Sequence, residues 1–254
     1  MHEHLIVKEQ GRLVEVHLNR PHVRHALSRA LMREITTVAR ALSDRTDIDV
    51  VILAGDERCF SAGADLNDAQ AWADDSLSTV QRRDIAGTGF RMCKAWEEMP
   101  QITIAAIEGY AVGGGLALSL ACDWRVLAQD AFVSLPEIAL GIPLTWGTIP
   151  RLVNLLGPAK AKRLTILCER VPAPEALSLG LVDYTCDKGQ ALIRAQALAA
   201  QTLAQPAATV RMSKESVNAA ATALNHASSY MAHDQIALAA SSPESRAARG
   251  QVLR

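Results

Sequence analysis

Apolar positions along the first half of the chain alternate between the short period of a strand and the longer period of a helix. Residues 13–20 (LVEVHLNR) alternate apolar and polar side chains, which predicts a half-buried strand. Residues 28–42 (SRALMREITTVARAL) place their apolar side chains on one helical face, with Ser28 as a candidate N-cap. Further strands are expected at 49–55 and 102–109, which are continuous apolar runs, and at 123–129.

The hydrophobic pattern changes in the second half of the chain. Short helices punctuated by Gly or Pro are expected at 147–156, 159–168 and 174–180, followed by a small strand at 181–186. From residue 188 onward the alanine-rich sequence predicts helices, with breaks near Pro206 and Pro243. The polar segment 67–84 predicts a loop or a frayed helix. We therefore expect an α/β core over residues 1–190 and a helical region over residues 191–254.

Composition narrows the classes of function. The chain has 254 residues, is 49% hydrophobic and carries a net charge of −1, so it has the apolar residues for a sizeable core and no charged field for nucleic acid or a membrane surface. The N-terminus is charged where a signal peptide needs an apolar run, and no stretch of 18 apolar residues occurs. Five scattered cysteines without a CxxC pair indicate reduced thiols. These features predict a cytoplasmic protein without a metal centre.

Three consecutive glycines head an apolar run in GYAVGGGLALSL, residues 109–120. Glycine costs a helix about 1 kcal/mol relative to alanine, so the triplet predicts that something approaches this backbone closely. Unpaired amides at the start of the expected helix 114–121 suit a phosphate or an oxyanion, whereas close helix–strand packing alone would also need glycine. A dinucleotide fingerprint fails, because Leu118 stands where its third glycine belongs.

A second small-residue turn, CFSAGADL (59–66), follows the apolar run 49–55. Together with IEGYAVGGGLALSLACDW (107–124) and LPEIALGIP (135–143), this turn resembles the crotonase family of enoyl-CoA hydratases and isomerases. HLNRPHVRHALS and GLVDY fit the same order, so the resemblance covers about residues 5–190. It implies a crotonase-like spiral of ββα units with a helical C-terminal trimerisation region. It also implies an acyl-CoA thioester substrate without a separate cofactor, and a homotrimer or a hexamer.

The resemblance implies what the two small-residue turns do. The backbone amides of Ala64 and Gly114 would bind the thioester carbonyl oxygen and stabilise the charge that develops on it as an enolate forms. Each donor of this kind is typically worth about 3–4 kcal/mol of barrier. The CoA moiety would lie near the turn after the first strand and near the second motif, at positions that match Arg24, Ala26, Ala62, Asp65 and Leu66.

The resemblance implies acid–base groups at two positions. In this chain the first position holds Ala117, which has no carboxylate, and the second holds Glu137. Two carboxylates help syn hydration because together they orient and activate one water. One carboxylate is enough to move a double bond, since it can take a proton from one carbon and return it to another. We expect Glu137 to be a lone proton shuttle between C2 and C4 of a 3-enoyl-CoA. Burial should raise its pKa, with Ala117, Ile138, Leu140 and Trp146 as expected walls.

Several alternatives stay open from the sequence. The reaction could be hydration, or another crotonase-type reaction such as decarboxylation or C–C hydrolysis, and the chain could also be a non-catalytic acyl-CoA binder. Glu137 could have a purely structural role. The polar segment offers further candidates for a second acid, which are Asp68, Asp74, Asp75 and Asp84.

Some residues near the motifs have two interpretations. Trp146 stands where the family often has a small residue, so it either narrows the acyl pocket or is an ordinary core aromatic. Arg24 either meets a phosphate or is a solvated surface arginine. Asp65 and Asp123 are expected to be structural, as is His25, which stands where the family usually has Asn.

Overall fold

The computed structural model describes residues 2–69, 76–223, 225, 229, 232 and 234–252. Within these residues, nine strands form two sheets. The strands are β1 (Leu5–Gln10), β2 (Leu13–Leu18), β3 (Val50–Ala54), β4 (Ile102–Ile107), β5 (Tyr110–Val112), β6 (Trp124–Ala128), β7 (Phe132–Ser134), β8 (Arg170–Pro172) and β9 (Tyr184–Cys186). The larger sheet has the order β1-β2-β3-β4-β6-β9, and the smaller one has the order β5-β7-β8.

Twelve α-helices lie in the same described part of the chain. They are α1 (Arg29–Ser43), α2 (Leu66–Ala69), α3 (Thr79–Ala86), α4 (Thr88–Glu97), α5 (Gly114–Ser119), α6 (Thr148–Leu156), α7 (Pro158–Leu167), α8 (Ala173–Leu179), α9 (Ala191–Leu203), α10 (Ala207–Thr222), α11 (Asp234–Ser241) and α12 (Pro243–Val252). Two short 3₁₀ helices, Pro21–Val23 and Ile138–Leu140, follow β2 and β7.

The larger sheet is parallel except for the antiparallel β1–β2 pair at one edge. Its central strands β3 and β4 are buried along their whole length, as their continuous apolar sequences predict. Successive side chains point to opposite faces, so Val51 and Leu53 join one apolar cluster while Val50 and Ile52 join the other. Helix α9 covers the second face with Ala195 and its neighbours. The turns that follow β3 and β4 therefore start from strands that are buried on both faces of the sheet.

Local signals in the sequence predict many of these elements correctly. Helix α1 begins after Ser28, whose side-chain oxygen accepts a hydrogen bond from the amide of Leu31 at 3.2 Å. The expected short helices after residue 146 correspond to α6, α7 and α8, and the breaks near Pro206 and Pro243 separate helices. The polar segment 67–84 holds α2 and α3 within the described residues, and α3 starts with a capping box of Ser78 and Gln81.

Other elements escape the pattern analysis. Strands β1, β5, β7 and β8 and helix α4 were not expected, and β5 lies between β4 and the glycine triplet. Three of these strands have only three residues, too few to show a period of two. Helix α5 ends at Ser119, so it is shorter than the expected helix 114–121.

The C-terminal helices are joined to the core by specific contacts. Lys214 of α10 is buried, and its ammonium group donates to the carbonyl of Gln101 at 2.6 Å and to the carboxylate of Asp123 at 2.7 Å. Helix α12 packs on the 3₁₀ helix Ile138–Leu140, where the backbone of Ser245 approaches Gly141. All five cysteines are free thiols. Among the described residues, the helices are too short or too polar to cross a lipid bilayer.

Candidate active site

The two small-residue turns found in the sequence meet at one end of the sheets. The turn after β3 is fastened to β5 by backbone hydrogen bonds. The amide of Phe60 donates to the carbonyl of Tyr110 at 2.9 Å, and the amide of Val112 donates to the carbonyl of Ser61 at 3.0 Å. These bonds lie at an isolated parallel bridge between Ser61 and Ala111 of β5. They bring residues 59–66 against the start of α5.

The amides of Ala64 and Gly114 lie close to this contact. A Cβ atom on Gly63 would stand 2.7 Å from the carbonyl oxygen of Val112 and 3.3 Å from the amide nitrogen of Gly114. Gly63 and Asp65 form the backbone hydrogen bonds of a parallel bridge to Leu27, so the amide of Ala64 points away from that bridge. Within the described residues, neither the Ala64 nor the Gly114 amide donates a hydrogen bond to another protein group. Two unpaired donors thus border the same turn.

Each glycine of the triplet admits a different neighbour. Gly113 has a φ of +55°, which favours glycine, and a Cβ there would meet a carboxylate oxygen. Both other glycines are approached by side chains from elsewhere in the chain. The neighbours are Glu137 Oε1 at 2.5 Å from the Cβ position of Gly113, the Trp146 ring over that of Gly114, and the Ser61 side chain at 2.8 Å from that of Gly115. The triplet therefore serves close packing as well as any ligand.

Glu137 is the N-cap residue of the 3₁₀ helix Ile138–Leu140, which follows β7. Its carbonyl oxygen accepts hydrogen bonds from the amides of Leu140 at 3.0 Å and Ile142 at 2.8 Å, which fix the backbone. The residue is partly exposed as a whole, but its Oε2 atom is buried and has no hydrogen-bond partner among the described residues. Burial raises the pKa of Glu137 to about 7, against a small lowering by its own backbone amide. A carboxyl group with this pKa is present in both protonation states near neutral pH.

The four expected walls of the Glu137 pocket differ in burial. Ala117 is 2% exposed and Trp146 is 7% exposed, and both belong to the main apolar cluster. Ile138 is 45% exposed, and Leu140 is half-buried. The buried part of the pocket is therefore on the side of α5 and Trp146.

Trp146 is held in place from several directions. Its ring lies where a Cβ atom on Gly89 of α4 or on Gly114 of α5 would stand. Its carbonyl oxygen accepts a hydrogen bond from the guanidinium of Arg151 at 2.8 Å. Arg151 in turn forms two hydrogen bonds, at 2.9 and 2.7 Å, with the carboxylate of Glu97. Sequence reasoning missed Gly89, Glu97 and Arg151, since no local pattern shows that they meet.

The positions expected to contact CoA lie on two connected turns. Arg24 is exposed, and its carbonyl oxygen accepts a hydrogen bond from the amide of Ala62 at 3.0 Å. The guanidinium of Arg20 pairs with the carboxylate of Asp65 at 2.9 Å and also donates to the carbonyl of Ala26. Asp65 thus has the structural pairing that was expected of it. The turns carry Arg24, Ala26, Ala62, Asp65 and Leu66. Among the described residues, the Arg24 side chain forms no ion pair with a carboxylate.

The other candidate acids have structural partners. Asp68 pairs with the guanidinium of Arg29 at 2.9 Å and accepts the backbone amide of the same residue. Asp84 is 61% exposed at its side chain and pairs with Arg91 at 3.1 Å. Asp123 accepts hydrogen bonds from Thr103 besides its contact with Lys214. Asp74 and Asp75 lie outside the described residues.

His25, Asp56 and Cys59 form a group whose donor atoms lie within 4.8 Å of one another, as a metal site would require. The Nδ1 atom of His25 accepts the backbone amide of Arg20 at 3.2 Å, so the neutral ring carries its proton on Nε2. Nε2 lies 3.2 Å from a carboxylate oxygen of Asp56 without hydrogen-bond geometry, and this carboxylate also pairs with Arg58. Because Nε2 then offers no lone pair, the group fits hydrogen-bonded packing of the turn rather than metal binding.

Comparisons with known proteins agree with this geometry. The sequence model described as Enoyl-CoA hydratase/isomerase matches residues 8–249. The chain is 31% identical over 218 residues to a protein named crotonyl-CoA hydratase from Syntrophomonas wolfei, which covers 85% of this chain and 82% of that protein. It is 33% identical over 217 residues to the mitochondrial Delta(3,5)-Delta(2,4)-dienoyl-CoA isomerase of Mus musculus, with coverages of 82% and 66%. The crystal structure of an enoyl-CoA hydratase from Bacillus anthracis superposes with a TM-score of 0.79 at 32% identity, covering 85% of this chain and 82% of that one.

Proposed function

The chain belongs to the enoyl-CoA hydratase/isomerase family and has its crotonase fold, and from this premise we propose that it moves the double bond of an enoyl-CoA thioester with Glu137 as its acid–base group. Membership confirms the expected family and makes the chain an enzyme of the hydratase/isomerase type that acts on CoA thioesters. The match also extends beyond residues 5–190 into the C-terminal helices. Which reaction the enzyme favours is argued below from its site.

The observation that carries the proposal is the isolation of Glu137. Burial raises its pKa to about 7, and no charged side chain contributes to that shift. Such a carboxylate is basic enough to remove an acidic proton and acidic enough to give it back. In the proposed reaction it takes a proton from C2 of a 3-enoyl-CoA and returns it to C4. The proton and the electron pair stay within the complex, so no water or co-reactant is consumed.

The intermediate of this reaction is a dienolate whose negative charge is concentrated on the thioester oxygen. We assign the amides of Ala64 and Gly114 as its two hydrogen-bond donors, because both are unpaired and lie at one contact between turns. Fixed donors of this kind stabilise developing charge without reorganisation. The absence of bulky side chains at both positions lets the oxygen reach the backbone.

The CoA moiety is proposed to lie along the two connected turns. Arg24 is proposed to meet a phosphate, because it is an exposed cation of this surface, whereas Arg20 is engaged by Asp65. Ala26, Ala62 and Leu66 would supply backbone groups and apolar contact to the adenine. An Arg24→Ala variant should raise KM for acyl-CoA with a smaller change in kcat.

Residues 191–254 are proposed to mediate assembly into a trimer or a dimer of trimers. Helix α9 and Lys214 of α10 pack on the chain's own core, so the contacts between subunits would involve other surfaces. Met212 and Val217 on α10, which are both 64% exposed, are apolar positions within this region that an assembly would cover. Light scattering tests this proposal, because a trimer has three times the 27.3 kDa mass of the chain.

Hydration of a 2-enoyl-CoA is the second candidate, favoured by a relative that is named as a hydratase. It would require Glu137 to activate a water molecule without a second carboxylate, because position 117 is an alanine. The two candidates therefore differ in the group that completes the reaction, and they share the oxyanion donors.

The decisive experiment compares both substrates with the wild type and Glu137→Gln. We expect the wild type to convert 3-enoyl-CoA to 2-enoyl-CoA faster than it hydrates 2-enoyl-CoA. Loss of the acid–base group should slow isomerisation by about 10²–10⁴-fold. Glu98→Gln, the same change at an exposed side chain, is the matched control. Unchanged turnover in Glu137→Gln would remove Glu137 from the mechanism, and faster hydration than isomerisation would favour the second candidate.

A further inference from the structure

The Trp146 ring occupies the space beside Glu137 on the side of α5. The ring lies over the Cα atom of Gly114, and the Glu137 carboxylate lies over the Cα atom of the adjacent Gly113. Consecutive Cα atoms are only 3.8 Å apart, so the acid and the indole cover two adjacent residues of the same turn. Trp146 is 7% exposed, which shows that protein surrounds the ring on most sides.

Ala117 belongs to the same face of α5. It follows Gly114 by three residues, and residues three apart lie one above the other on a helix. Helical side chains lean toward the N-terminal turn, so a long side chain at position 117 would extend over residues 113 and 114. That surface is already covered by Glu137 and Trp146. Ala117 itself is 2% exposed, so protein atoms surround it.

We infer that Trp146 fills the space that a second acid–base side chain at position 117 and its water would need, so that the indole commits the site to single-carboxylate chemistry. This inference deepens the proposed function and rests on it for its catalytic consequence. Addition of water to a double bond places an oxygen and a proton on adjacent carbons, which takes a water molecule between two polar groups. A buried indole wall offers neither the room nor the second group.

The ring cannot easily make way for a larger neighbour. It is wedged between Gly89 of α4 and Gly114 of α5, and an added Cβ on either glycine would overlap it. Its backbone is held by Arg151, whose guanidinium is paired with Glu97. Close-packed interiors resist inserted atoms and are typically destabilised by them. Trp146 and a long side chain at position 117 should therefore exclude each other, and this exclusion can be measured without any substrate.

The first test is a stability cycle with Ala117→Gln and Trp146→Ala. Glutamine has the length of glutamate without its charge, so the cycle measures space alone. We expect Ala117→Gln to lower the melting temperature of the wild type clearly, and to lower that of Trp146→Ala by less than half as much. Equal losses in both backgrounds would overturn the inference. Trp146→Phe, with a smaller aromatic ring, should give an intermediate result and keeps the cycle readable if Trp146→Ala folds poorly.

The second test measures hydration of 2-enoyl-CoA by the two single variants Ala117→Glu and Trp146→Ala and by their combination. We expect the combination to hydrate at least tenfold faster than the better single variant, and Ala117→Gln with Trp146→Ala to show no such gain. A combined variant that hydrates no faster than either single one would overturn the catalytic part. If the wild type failed to isomerise 3-enoyl-CoA, the proposed function would be wrong. The stability cycle would still test whether Trp146 and a long side chain at position 117 exclude each other.

Discussion

Two partly buried carboxylates, Asp68 and Glu137, behave in opposite ways. Burial alone raises the pKa of both groups. In Asp68 this effect is outweighed by hydrogen bonds from the backbone and the guanidinium of Arg29, and the pKa ends below its usual value. In Glu137 the opposing contribution comes only from its own backbone amide, so burial dominates and the pKa rises to about 7.

The difference teaches which carboxylates of this chain hold structure and which can carry chemistry. The turn side of the site joins Asp65, Asp68 and Asp56 to arginines, and these pairs fasten the turns that would receive CoA. A carboxylate engaged in this way cannot easily accept a substrate proton. Glu137 faces the glycine triplet, and its buried Oε2 has no hydrogen-bond partner among the described residues, which costs stability whenever the group is ionised.

Among changes that keep Glu137 itself, the largest effect is expected from Gly113→Ala, which would push the Glu137 carboxylate away. A Cβ at this position would stand 2.5 Å from Glu137 Oε1, and the φ of +55° adds backbone strain. A displacement of about 1 Å at a reacting group can cost about 10²-fold in rate, so we expect at least that loss of isomerisation. Steady-state kinetics with 3-enoyl-CoA measure it.

Gly180→Ala is the control for this variant. Gly180 has a φ of +81° and no atom within 4 Å of its Cβ position, so its substitution adds strain without crowding. It should lower stability modestly and leave the rate nearly unchanged. Equal rate losses in both variants would show that strain, rather than displacement of Glu137, causes the effect.

The sequence predicts the local elements around the site better than the long-range contacts that distinguish Asp68 from Glu137. Ser28 and the buried strands β3 and β4 are visible because capping residues and apolar runs are local signals. Glu137 is found through the LPEIALG motif, but its isolation depends on which distant side chains fail to reach it. The pairing of Asp68 with Arg29 crosses from α2 to α1, and no local pattern indicates it.

The position of the Trp146 ring likewise depends on contacts that no local sequence pattern reveals. Trp146 was singled out as unusual, yet its place over Gly89 follows from α4, a helix that the sequence pattern did not reveal. A glycine inside a helix is a weak negative signal by itself. Its reason emerges only when the ring from a distant segment is found against it.

The next effect is the pH dependence that Glu137 imposes on folding and on rate. Its carboxyl group loses a proton near pH 4.5 in the unfolded chain and near pH 7 in the folded one. The folded state therefore binds more protons between these values, and stability falls as pH rises through this window. A shift of this size corresponds to about 3 kcal/mol. Isomerisation should rise with pH and reach half of its plateau near pH 7, because the carboxylate is the base.

Comparison of the wild type with Glu137→Gln tests this linkage. The free energy of unfolding should decrease from pH 4 to pH 8 by about 3 kcal/mol more in the wild type than in the variant. The constant cost of burying glutamine cancels in this difference. Identical pH dependence in the two proteins would mean that Glu137 titrates in the folded state as it does in the unfolded chain.

The smallest effect is expected from Asp68→Asn, on the paired side of the comparison. The change removes a charge-assisted contact with Arg29, so the free energy of unfolding at pH 7 should fall by about 1–2 kcal/mol. Because the pKa of Asp68 is lowered in the folded state, its contribution is present above its unfolded pKa of 3.8 and is lost as pH falls below it. Chemical denaturation at pH 7 and at pH 3 measures the difference.

Isomerisation by Asp68→Asn should stay within about twofold of wild type, since losing this carboxylate leaves the Glu137 proton transfer intact. Asp47→Asn, at an exposed pair with Arg45, should cost less stability. A large loss of rate in Asp68→Asn would make Asp68 the second acid and end its contrast with Glu137.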